Sequence, residues 1–205
     1  MNSITVMNEP ARGCGPALQI ASERVRFSAM ISSRVLAFLS ALLVAGAAVP
    51  AHGEGVYLAP GPWLDDTAHV FPLAALNGTY TVVTMAYGAC QRVCSTSVRR
   101  IEELHDLAER RHIAVNFVVF GLDPDEDRPQ DWAAFRAERH LSYRNLQFLS
   151  GSPGAVRRLA NSLGVRYWRY DGHTLHDFRM VLLSPSGHIV RSIDRFDGDI
   201  SALLP

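Results

Sequence analysis

Thr79-Tyr-Thr-Val-Val-Thr-Met-Ala-Tyr87 runs through Gly88 and Ala89 into Cys90-Gln-Arg-Val-Cys94, and the reading of this stretch decides the fold. Its first part is β-branched and aromatic, lacks strict alternation and is too short for an amphipathic helix, which predicts a strand buried on both faces. The two cysteines that follow are four residues apart, a spacing that puts both sulfurs on one side of a helix, one turn apart. Beyond them, residues 95–111 place Val98, Ile101, Leu104, Leu107 and Ala108 at helical intervals, with arginines and carboxylates on the other side; this predicts a surface helix leaning on a core. Residues 114–122, Ala-Val-Asn-Phe-Val-Val-Phe-Gly-Leu, read as a second buried strand. Strand, helix and strand at this spacing imply a right-handed parallel crossover.

The alternation continues downstream. Asp123-Pro-Asp-Glu-Asp-Arg-Pro129 is a polar loop whose Pro129 can open a helix, predicted near 131–139. A short strand at 145–149 precedes Ser152-Pro153, a helix start, and the helix runs to Leu163 with Gly164 as its stop. Residues 165–176 read as a loop holding Tyr167, Trp168 and Tyr170, and strands at 178–183 and 188–193 flank the turn Ser184-Pro-Ser-Gly187. The expected class is α/β: a thioredoxin-like fold with a central mixed sheet, helices on both faces and an antiparallel edge hairpin.

The chain has 205 residues, 48% apolar and 20% charged, enough for one good core and short for two domains. Its 20 basic residues balance 20 acidic ones, so nothing favours a nucleic-acid surface, which needs a basic excess. All the basic residues are arginine. Residues 1–53 read as a leader outside the domain, with Met30 a candidate start. After Arg34 an uncharged run, residues 35–49, ends at Pro50-Ala51-His52-Gly53, shorter than the roughly 20 residues of a membrane span and followed by small residues. This predicts an export signal, or an anchor if it is not cleaved, and places the domain at 54–205 in the periplasm. Cys14 drops out of the arithmetic with the leader, which leaves Cys90 and Cys94.

An oxidising compartment lets a dithiol close to a disulfide unless something holds it open. With Cys90 at the strand end and Cys94 in the first helical turn, both thiols feel the helix N-terminus and Arg92 lies between them, so thiolate is favoured. Low thiol pKa serves redox exchange and metal binding alike. Two thiolates are too few for a closed zinc site, but two thiolates and an imidazole suit copper(I). His176 precedes a strand whose start should lie beside the cysteines, and it ranks ahead of His173, three residues earlier. His105, His112, His140 and His188 have ordinary places on helices and in the hairpin. A disulfide without metal stays open as the other reading, since helical Cα atoms four apart stand about 6 Å from each other. Against a generic reductase, no proline lies between Asp171 and Leu183, where a cis-proline would face the cysteines.

Val82-Val-Thr-Met-Ala-Tyr-Gly-Ala-Cys90-Gln-Arg-Val-Cys94, Leu122-Asp-Pro-Asp-Glu-Asp-Arg-Pro129 and His176-Asp-Phe-Arg-Met-Val-Leu-Leu-Ser-Pro-Ser-Gly187 together resemble the SCO/SenC family of copper-binding thioredoxin-like proteins, over roughly Trp63 to Gly198. The resemblance implies a copper ion, Cu(I) or Cu(II), on Cys90, Cys94 and His176, and delivery to the copper site of apo cytochrome c oxidase subunit II or another exported copper protein. It also leaves room for a thiol-disulfide oxidoreductase using Cys90 and Cys94, and less so for a thiol peroxidase. Members of the family carry Pro after each cysteine, where this chain has Gln91 and Ser95, and often an acidic residue where it has Arg92.

Overall fold

The computed structural model describes residues 55–88 and 94–205. Residues 1–54, where the leader is expected, residues 89–93 with Cys90, and the Cys94 and Ser95 side chains lie outside the described residues. The strands are β1 (Trp63–Asp65), β2 (Tyr80–Ala86), β3 (Val115–Gly121), β4 (Leu146–Gly151), β5 (Tyr167–Tyr170), β6 (His173–His176), β7 (Met180–Leu183) and β8 (Ile189–Ile193). The helices are α1 (Cys94–Arg110), α2 (Pro129–Glu138) and α3 (Pro153–Leu163), with 3-10 turns at Val56–Leu58, Leu73–Leu76 and Ile200–Leu203. None of the described helices is long and apolar enough to cross a membrane.

Six strands form one mixed sheet in the order β1-β4-β3-β2-β7-β8. β2, β3 and β4 are parallel, while β1, β7 and β8 join antiparallel. The continuous apolar runs of β2 and β3 are buried on both faces, as the pattern requires of central parallel strands. Val98, Ile101, Leu104 and Ala108 make the buried stripe of α1, each large side chain contributing about 2 kcal/mol of burial. α1 and α2 share a face of the sheet. His105 of α1 lies against Phe117, Trp132 of α2 stacks on Phe148, and Phe117 and Phe148 project to the same side because Val119 is the register partner of Phe148. α3 follows β4, and its end is tied to the approach to β7 by Arg179 Nε, which donates to Leu163 O at 2.6 Å.

The local signals behave as their chemistry dictates. Ser152 Oγ accepts the Ala155 N–H at 3.3 Å and Gly164 stops α3 at φ 71°. α2 opens at Pro129, the residue expected to start it, with Asp131 bonded back to the Arg128 N–H at 3.0 Å.

Three strands, β1, β5 and β6, depart from expectation. Residues 165–176 are not a loop: β5 and β6 form a separate antiparallel ladder pairing Tyr167 with His176, Trp168 with Leu175, Arg169 with Thr174 and Tyr170 with His173. Asp171 and Gly172 turn the chain with φ 50° and 75°, the two positive values of a type I′ hairpin turn. Short β1 is a further addition. It holds Trp63 edge-on to Phe120 at 4.7 Å and over Gly151, where a Cβ would overlap the indole.

The chain enters this fold at the β7–β8 turn. Val56 N–H donates to Gly187 O at 2.8 Å, and Tyr57 covers Gly187 while its hydroxyl donates to Thr81 Oγ1 at 2.8 Å. This is the end of the sheet at which β2 begins.

Candidate metal centre

The other end of β2 carries the chemistry. β2 stops at Ala86, Tyr87 is buried, and α1 begins at Cys94, so the segment between Gly88 and Cys94 joins a strand exit to a helix N-terminus. The N-terminus of a helix carries the positive end of its dipole, which favours thiolate. Cys94 therefore stands where the sequence reading puts it, and Cys90 falls in the undescribed segment.

β7 brings the histidine to the same end. Met180, its first residue, pairs with Thr84, and Thr84 Oγ1 donates to Arg179 O at 2.9 Å. His176, at the base of the β5–β6 ladder four residues before Met180, accordingly lies at the cysteine-bearing end. His173 is exposed at the ladder's tip opposite Tyr170. His105 stacks on Tyr143 with ring centroids 3.8 Å apart, and His188 follows the β7–β8 turn at the far end of the sheet.

His176 Nδ1 lies 2.8 Å from the Asp177 carbonyl oxygen. A carbonyl only accepts, so Nδ1 carries the proton and the lone pair sits on Nε2. Metal-binding imidazoles are commonly oriented by such a bond to a backbone carbonyl. Burial lowers the pKa of His176, against the opposing pull of the Asp177 carbonyl, and this favours the neutral ring a metal needs.

The acidic loop between β3 and α2, which residue spacing alone assigns no role beyond a turn, supplies the surroundings. Asp123 and Asp127 are 3% and 1% exposed. Asp127 Oδ1 accepts the Gly88 N–H at 2.7 Å and Oδ2 the Asp123 N–H at 2.7 Å. Asp123 Oδ2 accepts Thr174 Oγ1 at 2.8 Å and pairs with Arg169 Nη2 at 3.1 Å. The Tyr87 hydroxyl donates to Glu126 Oε2, and burial first, then that carboxylate, raises the phenol pKa. Burial also raises the pKa of Asp127 to about 7, outweighing the amides of Asp123, Gly88 and Leu122, which lower it. The readable signal was the density of carboxylates in 123–127. What could not be read was that two of them face inward.

The exit of β2, a carbonyl-oriented imidazole and a buried acidic loop share one end of a thioredoxin-like sheet, and the sequence model of SCO1/SenC matches residues 63–203. The chain belongs to the SCO1/SenC family. A curated relative, the SCO1 protein homolog of Bacillus subtilis strain 168, is 24% identical over 123 residues, 58% of this chain and 64% of the relative; the match thus spans just under two thirds of the relative's length. Among solved structures, Arabidopsis thaliana ScoI with copper bound superposes with a TM-score of 0.62 at 21% identity, covering 74% of this SCO1/SenC chain and 93% of the plant protein. BsSco, a member of the Sco family of cytochrome c oxidase assembly proteins in which a disulfide switch was identified, superposes at 0.60 and 21% identity over 71% and 90%. At these identities the structural likeness establishes the thioredoxin-like fold of the Sco proteins.

Proposed function

We propose that this SCO1/SenC protein is an exported copper metallochaperone that carries one copper ion on Cys90, Cys94 and His176 for assembly of the copper site of cytochrome c oxidase subunit II. The observation that carries the reading is His176. Its ring is kept neutral by burial, oriented through Nδ1 by the Asp177 carbonyl, and set at the end of the sheet where β2 runs into the cysteine segment. The donor set fits the cargo: two soft thiolates favour Cu(I), and an imidazole lets the same site hold Cu(II). Transfer then proceeds by ligand exchange, the recipient's thiolates replacing Cys90, Cys94 and His176 one at a time.

Titrating the reduced protein with Cu(I) is expected to give one equivalent bound. Affinity should fall by about tenfold or more in His176→Ala and collapse in Cys90→Ser/Cys94→Ser. Binding that survives intact in His176→Ala would remove the histidine from the site.

A second reading uses the same pair in a different reaction, and the disulfide switch identified in BsSco favours keeping it. Cys90 thiolate attacks a disulfide of an exported partner and displaces one partner thiolate. Cys94 thiolate then attacks the mixed disulfide and releases the other. The partner gains two electrons, and this chain is left with a Cys90–Cys94 disulfide. Stoichiometric reduction of a model disulfide without copper, lost in Cys90→Ser and indifferent to His176→Ala, would select this reading.

A further inference from the structure

Gly88 stands two residues before Cys90, and Thr174 two residues before His176. One loop touches both. Asp127 reaches back 39 residues to the Gly88 amide, and Asp123 reaches forward 51 residues to the Thr174 hydroxyl. The two residues are locked to each other as well: Asp127 Oδ2 accepts the Asp123 N–H at 2.7 Å, and the Asp127 N–H donates to the Asp123 carbonyl at 2.6 Å. Ser150 Oγ of β4 donates to Asp127 O at 2.5 Å, which pins the loop to the sheet. Gly121 gives the loop room, since a Cβ there would stand 2.5 Å from the Asp127 Cβ.

A loop that needed only its own turn bonds would not bury two carboxyl groups and aim each at a distant segment, because a buried carboxyl costs free energy unless its oxygens are bonded. The hairpin also needs holding. β5 and β6 form a two-stranded ladder outside the main sheet, and such a ladder is marginal by itself. Arg169 and Thr174, register partners on its inner face, both converge on Asp123 Oδ2.

We propose that the Asp123–Asp127 loop couples the two halves of the copper site: Asp127 positions the cysteine-bearing segment through Gly88, and Asp123 positions the histidine-bearing hairpin through Thr174 and Arg169. The copper consequence rests on the chaperone reading, whereas the mechanical coupling does not. Asp123, Asp127, Arg169 and Thr174 are positioning residues, acting on the ligands through backbone geometry.

Amide hydrogen exchange on the reduced, copper-free chain at pH 7 tests the coupling. Thr174→Val removes one hydroxyl and keeps the volume, and it is expected to speed exchange of the Gly88 amide about fivefold although residue 174 does not bond to it. Asp127→Asn is expected to speed exchange in the ladder Tyr167–His176, which Asp127 does not bond. Copper affinity of Thr174→Val should drop about tenfold at unchanged stoichiometry, with a shifted absorption spectrum of the Cu(II) form. Arg169→Ala provides the hairpin perturbation at an exposed side chain if Asp127→Asn fails to fold. Exchange changes confined to each variant's own segment would overturn the coupling whether or not copper binds. Remote exchange changes in a protein that takes up no copper would uphold the coupling and refute the chaperone reading.

Discussion

Asp127 holds a carboxyl group at 1% exposure, and burial raises its pKa from 3.8 to about 7. Between those values the native state keeps a proton that the unfolded chain has released. Stability contributed at this residue is therefore fully present below about pH 4 and lost as pH rises through about 7, an amount on the order of 4 kcal/mol. Urea denaturation at pH 4.5 and 7.5 checks it. The difference in stability between the wild type and Asp127→Asn should favour the wild type more at the lower pH. A wild-type advantage that grew with pH would mean an ionised Asp127. That His176 lies at the end of the sheet where β2 exits was legible from its place before a strand, and that α1 follows β2 near Cys94 was legible from the apolar pattern on either side. Asp123, Asp127, Arg169 and Thr174 were not, because a polar side chain's inward aim depends on partners 39 to 51 residues away, which no local pattern carries.

At the scale of elements, signals that act within a few residues were readable: the double-sided burial of β2 and β3, the stripe of α1, and the Ser152 cap and Gly164 stop of α3. The β5–β6 hairpin was hidden because Trp168, Arg169 and Tyr170 are all exposed, so β5 has no alternation to reveal it. Asp171-Gly172 was the available clue, since that dipeptide is a strong hairpin signal. β1 was hidden by its three-residue length. The turn makes a prediction of its own. Gly172 has φ 75° with open space around its Cα, so Gly172→Ala meets no neighbour and costs only backbone strain, about 1 kcal/mol. Hydrogen exchange should show that loss in the ladder Tyr167–His176 while α1 and β3 exchange as in the wild type. Loss spread through the core would contradict a separately seated hairpin.

Across the whole molecule, the parallel order β4-β3-β2 with antiparallel β7 and β8 gathers Gly88, the start of α1, the acidic loop and His176 at one end of the sheet, while the chain enters at Gly187 by the other. β2 alone separates these ends by about 20 Å. The overall α/β order was legible because strand-helix-strand crossovers have one hand and short connections. That residues 165–176 form a hairpin there rather than a loop required the fold itself. The claim that Cys90, Cys94 and His176 hold one copper is tested most directly by X-ray absorption at the copper edge on the full chain loaded with one equivalent under reducing conditions. Two sulfur scatterers and one nitrogen scatterer are expected, with the nitrogen lost in His176→Ala. A copper shell without sulfur, or one unchanged in His176→Ala, would contradict the account.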